Sequence, residues 1–297
     1  IGTSCDYMKE AVEAARYVIA QVNKHVPYTY GDSRIHISKI DTLVRHDQPL
    51  NLAGSLPLAD TDTAIGKHVA ALIPNGATLQ VGIGNIPSAV LSQLKDHKHL
   101  GIHSEMISDD CVTLAECGAL DGSMKKTDPG KMVAMFLKGT EKLYGFVDHN
   151  KDVLINSVGY TNNPAIIAQN PKVIALNSAI EIDLSGQVCA DSIGTKIFSG
   201  SGGQLDFMIG ATYSEGGMPI IAMPSITGKG MTKIVPTLAS GAGVVTPRTL
   251  TQWVVTEYGA ANLYAKPIHE RARLLISIAH PSQREALEQQ AHALGLL

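Results

Sequence analysis

The sequence predicts an α/β protein, a mostly parallel sheet covered by helices on both faces. Short apolar runs alternate with segments whose apolar residues recur at helical spacing, and glycines or capping residues stand at the junctions. A chain of 297 residues is long enough for one large domain or two ordinary ones, each with a real core.

Taken in order, Tyr7, Ala11, Ala14, Ala15, Val18 and Val22 fall at helical spacing, which predicts a helix from Asp6 to Asn23 with Asp6 as its cap. The helix stops at NKHVP, and RIHISKIDTLV, from Arg34 to Val44, alternates loosely as a strand. The polar, Pro- and Gly-bearing segment RHDQPLNLAGSLPLAD reads as a linker. Beyond it the alternation is steady. The helix TDTAIGKHVAALI leads to the strand ATLQVGI, a glycine turn and the helix IPSAVLSQLK; the strand LGIHS leads to the helix DDCVTLAEC, closed by Gly118. The strands KMVAMFL, VLINSV and VIALNS are followed by the helical segments TEKLYGFV, NPAIIAQ and EIDLSG. After the glycine-dense SGSGGQLDFMIGA come the strands MPIIAMP and QWVVTEYG, then two amphipathic helices, HERARLLISIA and SQREALEQQAHAL.

Composition narrows the class. With 17% charged residues and a formal net charge of -3, no single-sign field argues for nucleic acid or a membrane surface as partner. The longest apolar stretches fall far below the roughly 20 residues a bilayer demands. The start, IGTSCDYMKEA, has neither an initiator Met nor a basic n-region, so it reads as the interior of a longer chain rather than a signal peptide. Cys5, Cys111, Cys117 and Cys189 form no C-x-x-C and fit no zinc spacing, so a reduced, cytoplasmic protein is expected. HKH at 97–99 reads as a solvated turn, and no metal is assigned.

Four places could carry chemistry. The turn VGIGNIPSAV joins a strand to a helix: Gly82 and Gly84 let the backbone approach a ligand, Asn85 is placed to cap, and Pro87 is tolerated in the first helical turn. A helix N-terminus there suits a phosphate or an oxyanion, although Pro87 stands where a dinucleotide fingerprint needs glycine; the plain alternative is a tight βα turn. Glu105 follows the strand LGIHS, with Ser108 as cap of the next helix and Ile107 and Val112 as its hydrophobic staple. That puts Glu105 at the carboxyl end of a parallel strand, where open sheets place ligands; otherwise it is a solvated loop acid. Asp109 and Asp110 fit as first-turn acids favoured by the helix dipole. SGSGGQLDF reads either as a nest of backbone N–H groups for an anion or as a flexible loop, and Lys229, between glycines, as a phosphate contact or a surface lysine. It fits neither a P-loop nor, at Ser201, a hydrolase elbow. Glu257, in VVTEYGAANL, is a structural hydrogen-bonding residue or a site wall.

GTSCDYMKEA, DSRIHISKID, LQVGIGNIP, IHSEMISD, SGSGGQLDF, VVTEYGAA and ARLLISIAHPSQRE, in that order, resemble the acetyl-CoA hydrolase/transferase family, and within it the 4-hydroxybutyrate (butyryl) CoA-transferase branch. The seven blocks span nearly the whole chain, which is far more specific than any one of them. The resemblance implies a CoA-transferase fold of the NagB/RpiA-like kind. Residues 1–55 would be the end of a first domain plus linker, and 56–297 a complete second domain. It also implies a homodimer in the full-length protein and no tightly bound cofactor, with coenzyme A and acyl-CoA as substrates. The family's nucleophilic glutamate, in [ST]-E-[MV]-I-x-D, falls on Glu105. The turn Gly82, Ile83, Gly84, Asn85 and Ile86 and the loop Gly202 and Gly203 resemble the segments that hold CoA and the oxyanion, and Lys229 resembles a CoA-contacting lysine. TPRTLTQWVVTEYG departs from the family's pattern ahead of its strand, which bears on the substrate pocket.

The expected activity is transfer of CoA between carboxylic acids by ping-pong chemistry through a glutamyl-CoA thioester. An acyl-CoA hydrolase using the same site and a non-catalytic CoA-binding fragment are the alternatives.

Overall fold

Residues along each central strand alternate between two hydrophobic cores in the computed structural model, which describes residues 1–54 and 57–297. Ile174 and Leu176 face one core while Val173 and Ala175 face the other; Ile220 and Ala222 are opposed in the same way to Ile221 and Met223, and Val255 to Val254. Successive side chains of a strand point to opposite faces, so runs that are apolar at every position belong where helices cover both sides.

The strands form a six-stranded sheet in the order Gly259–Asn262, Trp253–Thr256, Met218–Ala222, Val173–Asn177, Thr78–Gln80, Gly101–Ile102. Only the first pair is antiparallel. One face carries the helices Asp60–Ala70, Asn85–Ser92, Asp109–Glu116 and Glu141–Val147; the other carries Gln204–Tyr213, Ile268–Ser277 and Pro281–Ala293. Asp60–Ala70 and Asn85–Ser92 pack closely through Gly66, where a Cβ would stand 2.8 Å from the carbonyl carbon of Ala89.

The predicted fold class holds, but the sheet is not single. A second parallel sheet sets Val153–Ile155 between Tyr30–Gly31 and Met132–Ala134. A bridge from His103 to Val133 joins it to the edge of the main sheet. The run KMVAMFL therefore divides: Met132–Ala134 enters this second sheet, and Phe136–Leu137 pairs with Met106–Ile107. The N-terminal segment docks here too, with the Cys5 amide donating to the Met135 carbonyl at 2.8 Å.

Three sequence expectations change. The N-terminal helix is only Met8–Ala14, and Asp6, at φ +42°, does not cap it. No residue of this helix is buried, so tertiary packing does not extend it, and the branched Ile19 and Val22 instead enter a strand. That strand, Ile19–Val22, pairs in parallel with Thr42–Arg45; the expected strand from Arg34 to Val44 is therefore confined to its end, after a short 3₁₀ turn at Ile37–Lys39. EIDLSG is not helical. Glu181–Asp183 is a strand between Val188–Cys189 and Ile234–Val235, and Asp183 accepts from the Ser185 and Gln187 amides, both at 2.9 Å, which turns the chain at once. The expected domain boundary between 55 and 56 lies outside the described residues. Among the described residues no helix is long and apolar enough to cross a membrane.

Candidate active site

The site is built at the carboxyl end of Thr78–Gln80 and its neighbours. Gly84 takes φ +121° and ψ -176° at the N-cap of Asn85–Ser92, a conformation that favours glycine. Asn85 does not cap as expected. It is the first helical residue, and its amide donates to Asp62 at 3.0 Å, tying the turn to the adjacent helix.

One strand over, Ser104 is fully buried and exchanges two hydrogen bonds with Val81, accepting from its N–H at 3.2 Å and donating to its carbonyl at 3.0 Å. The next residue is Glu105. Its carbonyl accepts from the Met135 and Phe136 amides at 2.9 and 3.0 Å, so the main chain is held from both sides. The strand reading needs a small adjustment: Gly101–Ile102 ends before Glu105, which occupies the step into Met106–Ile107.

The Glu105 side chain is not a solvated loop acid. Oε1 accepts from the Gly203 backbone N–H at 3.1 Å and from Asn162 Nδ2 at 3.0 Å. Gly203 is the N-cap of the Gln204–Tyr213 helix, so the positive end of that helix meets the carboxylate. A Cβ on Gly203 would stand 2.4 Å from Glu105 Oε1 and 2.1 Å from Asn162 Nδ2, which leaves room only for glycine. Asn162 is buried at the end of the turn after Val153–Ile155, and its Nδ2 also lies 3.5 Å from Asp206 Oδ2. Burial holds the Asp206 carboxyl above its usual range, against a smaller opposing effect of the Asn162 amide.

Beneath the site, His103 is buried and its Nε2 donates to the Thr161 carbonyl at 2.9 Å. Burial, reinforced by the nearby Lys125 ammonium, pushes its pKa down to about 4, so the ring is neutral. Lys125 donates to the carbonyls of Ile102 and Lys131 at 2.9 and 2.7 Å, and burial lowers its pKa to about 8.

Gly82, Ile83, Gly84 and Asn85 separate two clefts. One, of about 300 Å³, is bounded by Leu91, Met106, Ser108 and Lys138; the other, of about 390 Å³, by Asp62, Leu176, Asn177 and Ser178, with Ile86 on its wall. Gln204 reaches the Ser178 carbonyl at 3.3 Å, joining the second cleft to the glycine loop. Glu105 borders neither, its carboxylate turning toward Gly203. Gly202, at φ +59°, makes the bend that brings Gly203 there.

Lys229 is not brought to this cluster. It is exposed at the tip of a hairpin closed by the Ile226–Thr232 bridge, with no hydrogen bond or ion pair among the described residues. Glu257 makes the structural hydrogen bonds offered as one of its two alternatives: it accepts from the Ser225 amide at 2.9 Å and the Ser225 hydroxyl at 2.6 Å, at the base of that hairpin. Asp109 and Asp110 sit in the first helical turn as expected but do more than answer a dipole. Asp109 accepts from the Thr140 and Leu143 amides at 2.9 and 3.1 Å, and Asp110 from the Ser88 hydroxyl at 2.7 Å. Ser108 is the N-cap by position, without a side-chain capping bond, over the buried staple of Ile107 and Val112.

Sequence reasoning missed Asn162 and Asp206. Asp206 stood inside the quoted block SGSGGQLDF, but Asn162, in YTNNP, carries only a turn signal.

Comparison with known proteins adds an independent line. Residues 139–291 match the model of the acetyl-CoA hydrolase/transferase C-terminal domain, and residues 1–52 that of the N-terminal domain. The chain is 52% identical to the 4-hydroxybutyrate coenzyme A transferase of Clostridium kluyveri, over 96% of this chain and 67% of that protein. It is 48% identical to the succinyl-CoA:acetate/propanoyl-CoA:succinate CoA transferase of Fasciola hepatica, over 98% of this chain and 62% of that protein. Among solved structures, RipA from Yersinia pestis superposes with a TM-score of 0.94 at 37% identity, covering all of this chain and 67% of RipA. The chain thus spans about two thirds of the length of the proteins it matches.

Proposed function

The chain belongs to the acetyl-CoA hydrolase/transferase family, and from that premise we propose that the protein moves coenzyme A between short-chain carboxylic acids, with Glu105 as its nucleophile. The observation that carries this reading is the pair of donors, Gly203 N–H and Asn162 Nδ2, on Glu105 Oε1. A merely solvated acid has no use for such a cradle.

The chemistry follows from which oxygen is held. Oε2, free of protein donors among the described residues, attacks the thioester carbonyl carbon; the C–S bond breaks, the CoA thiolate leaves, and an acyl-glutamyl anhydride forms. The thiolate sulfur then attacks Cδ of Glu105, and its C–O bond to the acyl group breaks. The first acid leaves as its carboxylate, and a glutamyl-CoA thioester remains. An incoming carboxylate reverses the sequence, so no net proton is exchanged and the thioester energy is retained. In the steps at Cδ the negative charge gathers on Oε1, already faced by two N–H donors; removing one donor from comparable sites costs about 3–4 kcal/mol of transition-state stabilisation.

The remaining assignments rest on position. The turn Gly82 to Ile86 and its clefts would hold the CoA arm, Gly202 and Gly203 the oxyanion, and Lys229 would reach a CoA phosphate from its hairpin. The division into 1–55 and 56–297 is retained as part of this reading.

The test is mass spectrometry of the protein after incubation with butyryl-CoA, then hydroxylamine. The expected result is a hydroxylamine-sensitive CoA adduct on the peptide bearing Glu105, absent from Glu105→Gln. No adduct, together with sequential rather than ping-pong kinetics, would sink the proposal. Thioester loss that proceeds equally with and without acetate would assign a hydrolase instead.

A further inference from the structure

We infer that Asp206 is a positioning residue for the covalent intermediate: it holds the Asn162 amide in its donating orientation after Glu105 has lost its charge. The inference rests on Glu105 being the nucleophile.

The Asn162 amide nitrogen carries two hydrogens. One serves Glu105 Oε1 at 3.0 Å, and the nitrogen lies 3.5 Å from Asp206 Oδ2. Its oxygen contributes nothing to the choice, because Asn162 Oδ1 is buried with no hydrogen-bond partner among the described residues. The orientation of the amide is therefore set entirely on its nitrogen side. A half-turn would place Oδ1 against two carboxylates, each an acceptor, which is strongly unfavourable.

While Glu105 is a carboxylate, its own charge is sufficient. In the glutamyl thioester it becomes a neutral carbonyl, a weaker acceptor. Asp206 is then the anion that still faces the amide, and it keeps an N–H on Oε1 for the next attack at Cδ. The placement is rigid, since Asp206 lies in the first turn of the helix that begins after Gly203. The same negative charge also opposes an oxyanion nearby, so orientation and repulsion act in opposite directions and the discharge rate decides between them.

The test uses protein carrying preformed glutamyl-CoA thioester, made with butyryl-CoA, and follows its discharge by acetate through rapid quench and mass spectrometry. In Asp206→Asn the discharge should slow roughly tenfold or more. Affinity of the adduct-free protein for free CoA, measured by calorimetry, should change less than about twofold, because the Glu105 carboxylate then holds the amide by itself. Asp206→Glu, which keeps the charge on a longer arm, should recover at least half of the lost rate on a logarithmic scale. Discharge in Asp206→Asn within about threefold of wild type, or faster than it, overturns the inference. So does a loss that Asp206→Glu leaves undiminished. A wild-type protein that forms no adduct at Glu105 overturns the underlying reading instead, which keeps the two failures distinct.

Discussion

The Gly203 amide stands 3.1 Å from Glu105 Oε1, and a Cβ on the same residue would stand 2.4 Å from that oxygen. One backbone position supplies the donor and, by having no side chain, the space the carboxylate occupies. Gly203→Ala should therefore move Glu105 off its donors and lower kcat by roughly 10²–10³, the loss seen when an oxyanion donor is removed. Steady-state kinetics check this; a kcat within threefold of wild type would contradict it.

Glu257 bonds to a different segment from those that hold Glu105. Both its oxygens are engaged by Ser225, at the base of the hairpin that carries Lys229. Glu257→Ala should loosen the hairpin, raising KM for butyryl-CoA several-fold while leaving Glu105 able to form its adduct. Equal losses in adduct formation and affinity would show instead that Glu257 belongs to the reacting group.

Gly66 offers a test of packing alone. A Cβ there would meet the backbone of Ala89 at 2.8 Å, and backbone cannot yield as a flexible side chain can. Gly66→Ala should destabilise the protein by about 1–3 kcal/mol, despite alanine's better helix propensity. The readout is the thermal midpoint, expected to fall by several degrees.

His103 ties stability to pH. Its pKa is about 4 in the folded protein because burial disfavours the imidazolium, against 6.5 for the free side chain. Between those values the unfolded chain binds the proton and the folded one does not, so stability rises with pH through this window and is lost on acidification through it. The slope attributable to this group is at most about 1.4 kcal/mol per pH unit. His103→Gln, which retains a donor toward Thr161, should flatten denaturant-derived stability between pH 4 and 6.5 relative to wild type; an unchanged slope would show that His103 does not titrate this way.

How far the sequence carries depends on whether partners are near in the chain. The runs VIAL and MPIIA are apolar at consecutive positions, so strands covered on both faces could be read directly. The surroundings of Glu105, a strand before it and a stapled helix after it, made the position suitable, while its candidacy as nucleophile came from the family motif. Asn162 was not legible, because its meeting with Glu105 depends on the second sheet bringing a turn 57 residues away to the end of the first. The N-terminal helix was overextended for a related reason: its spacing is helical, but no core receives that face, and distant pairing with Thr42–Arg45 takes the branched residues.

The strand Tyr30–Gly31 finds its neighbour only at Val153–Ile155, and just beyond it Asp32 bonds to Asn156 across 124 residues. At roughly 5–20 residues per second, a ribosome needs on the order of ten seconds to supply that partner. During that interval the early segment waits with an open strand edge, exposed to mispairing with neighbouring nascent chains. Slowed elongation between residues 31 and 155 would lengthen this window, making yield of soluble protein sensitive to codon choice in a stretch far from the segment at risk.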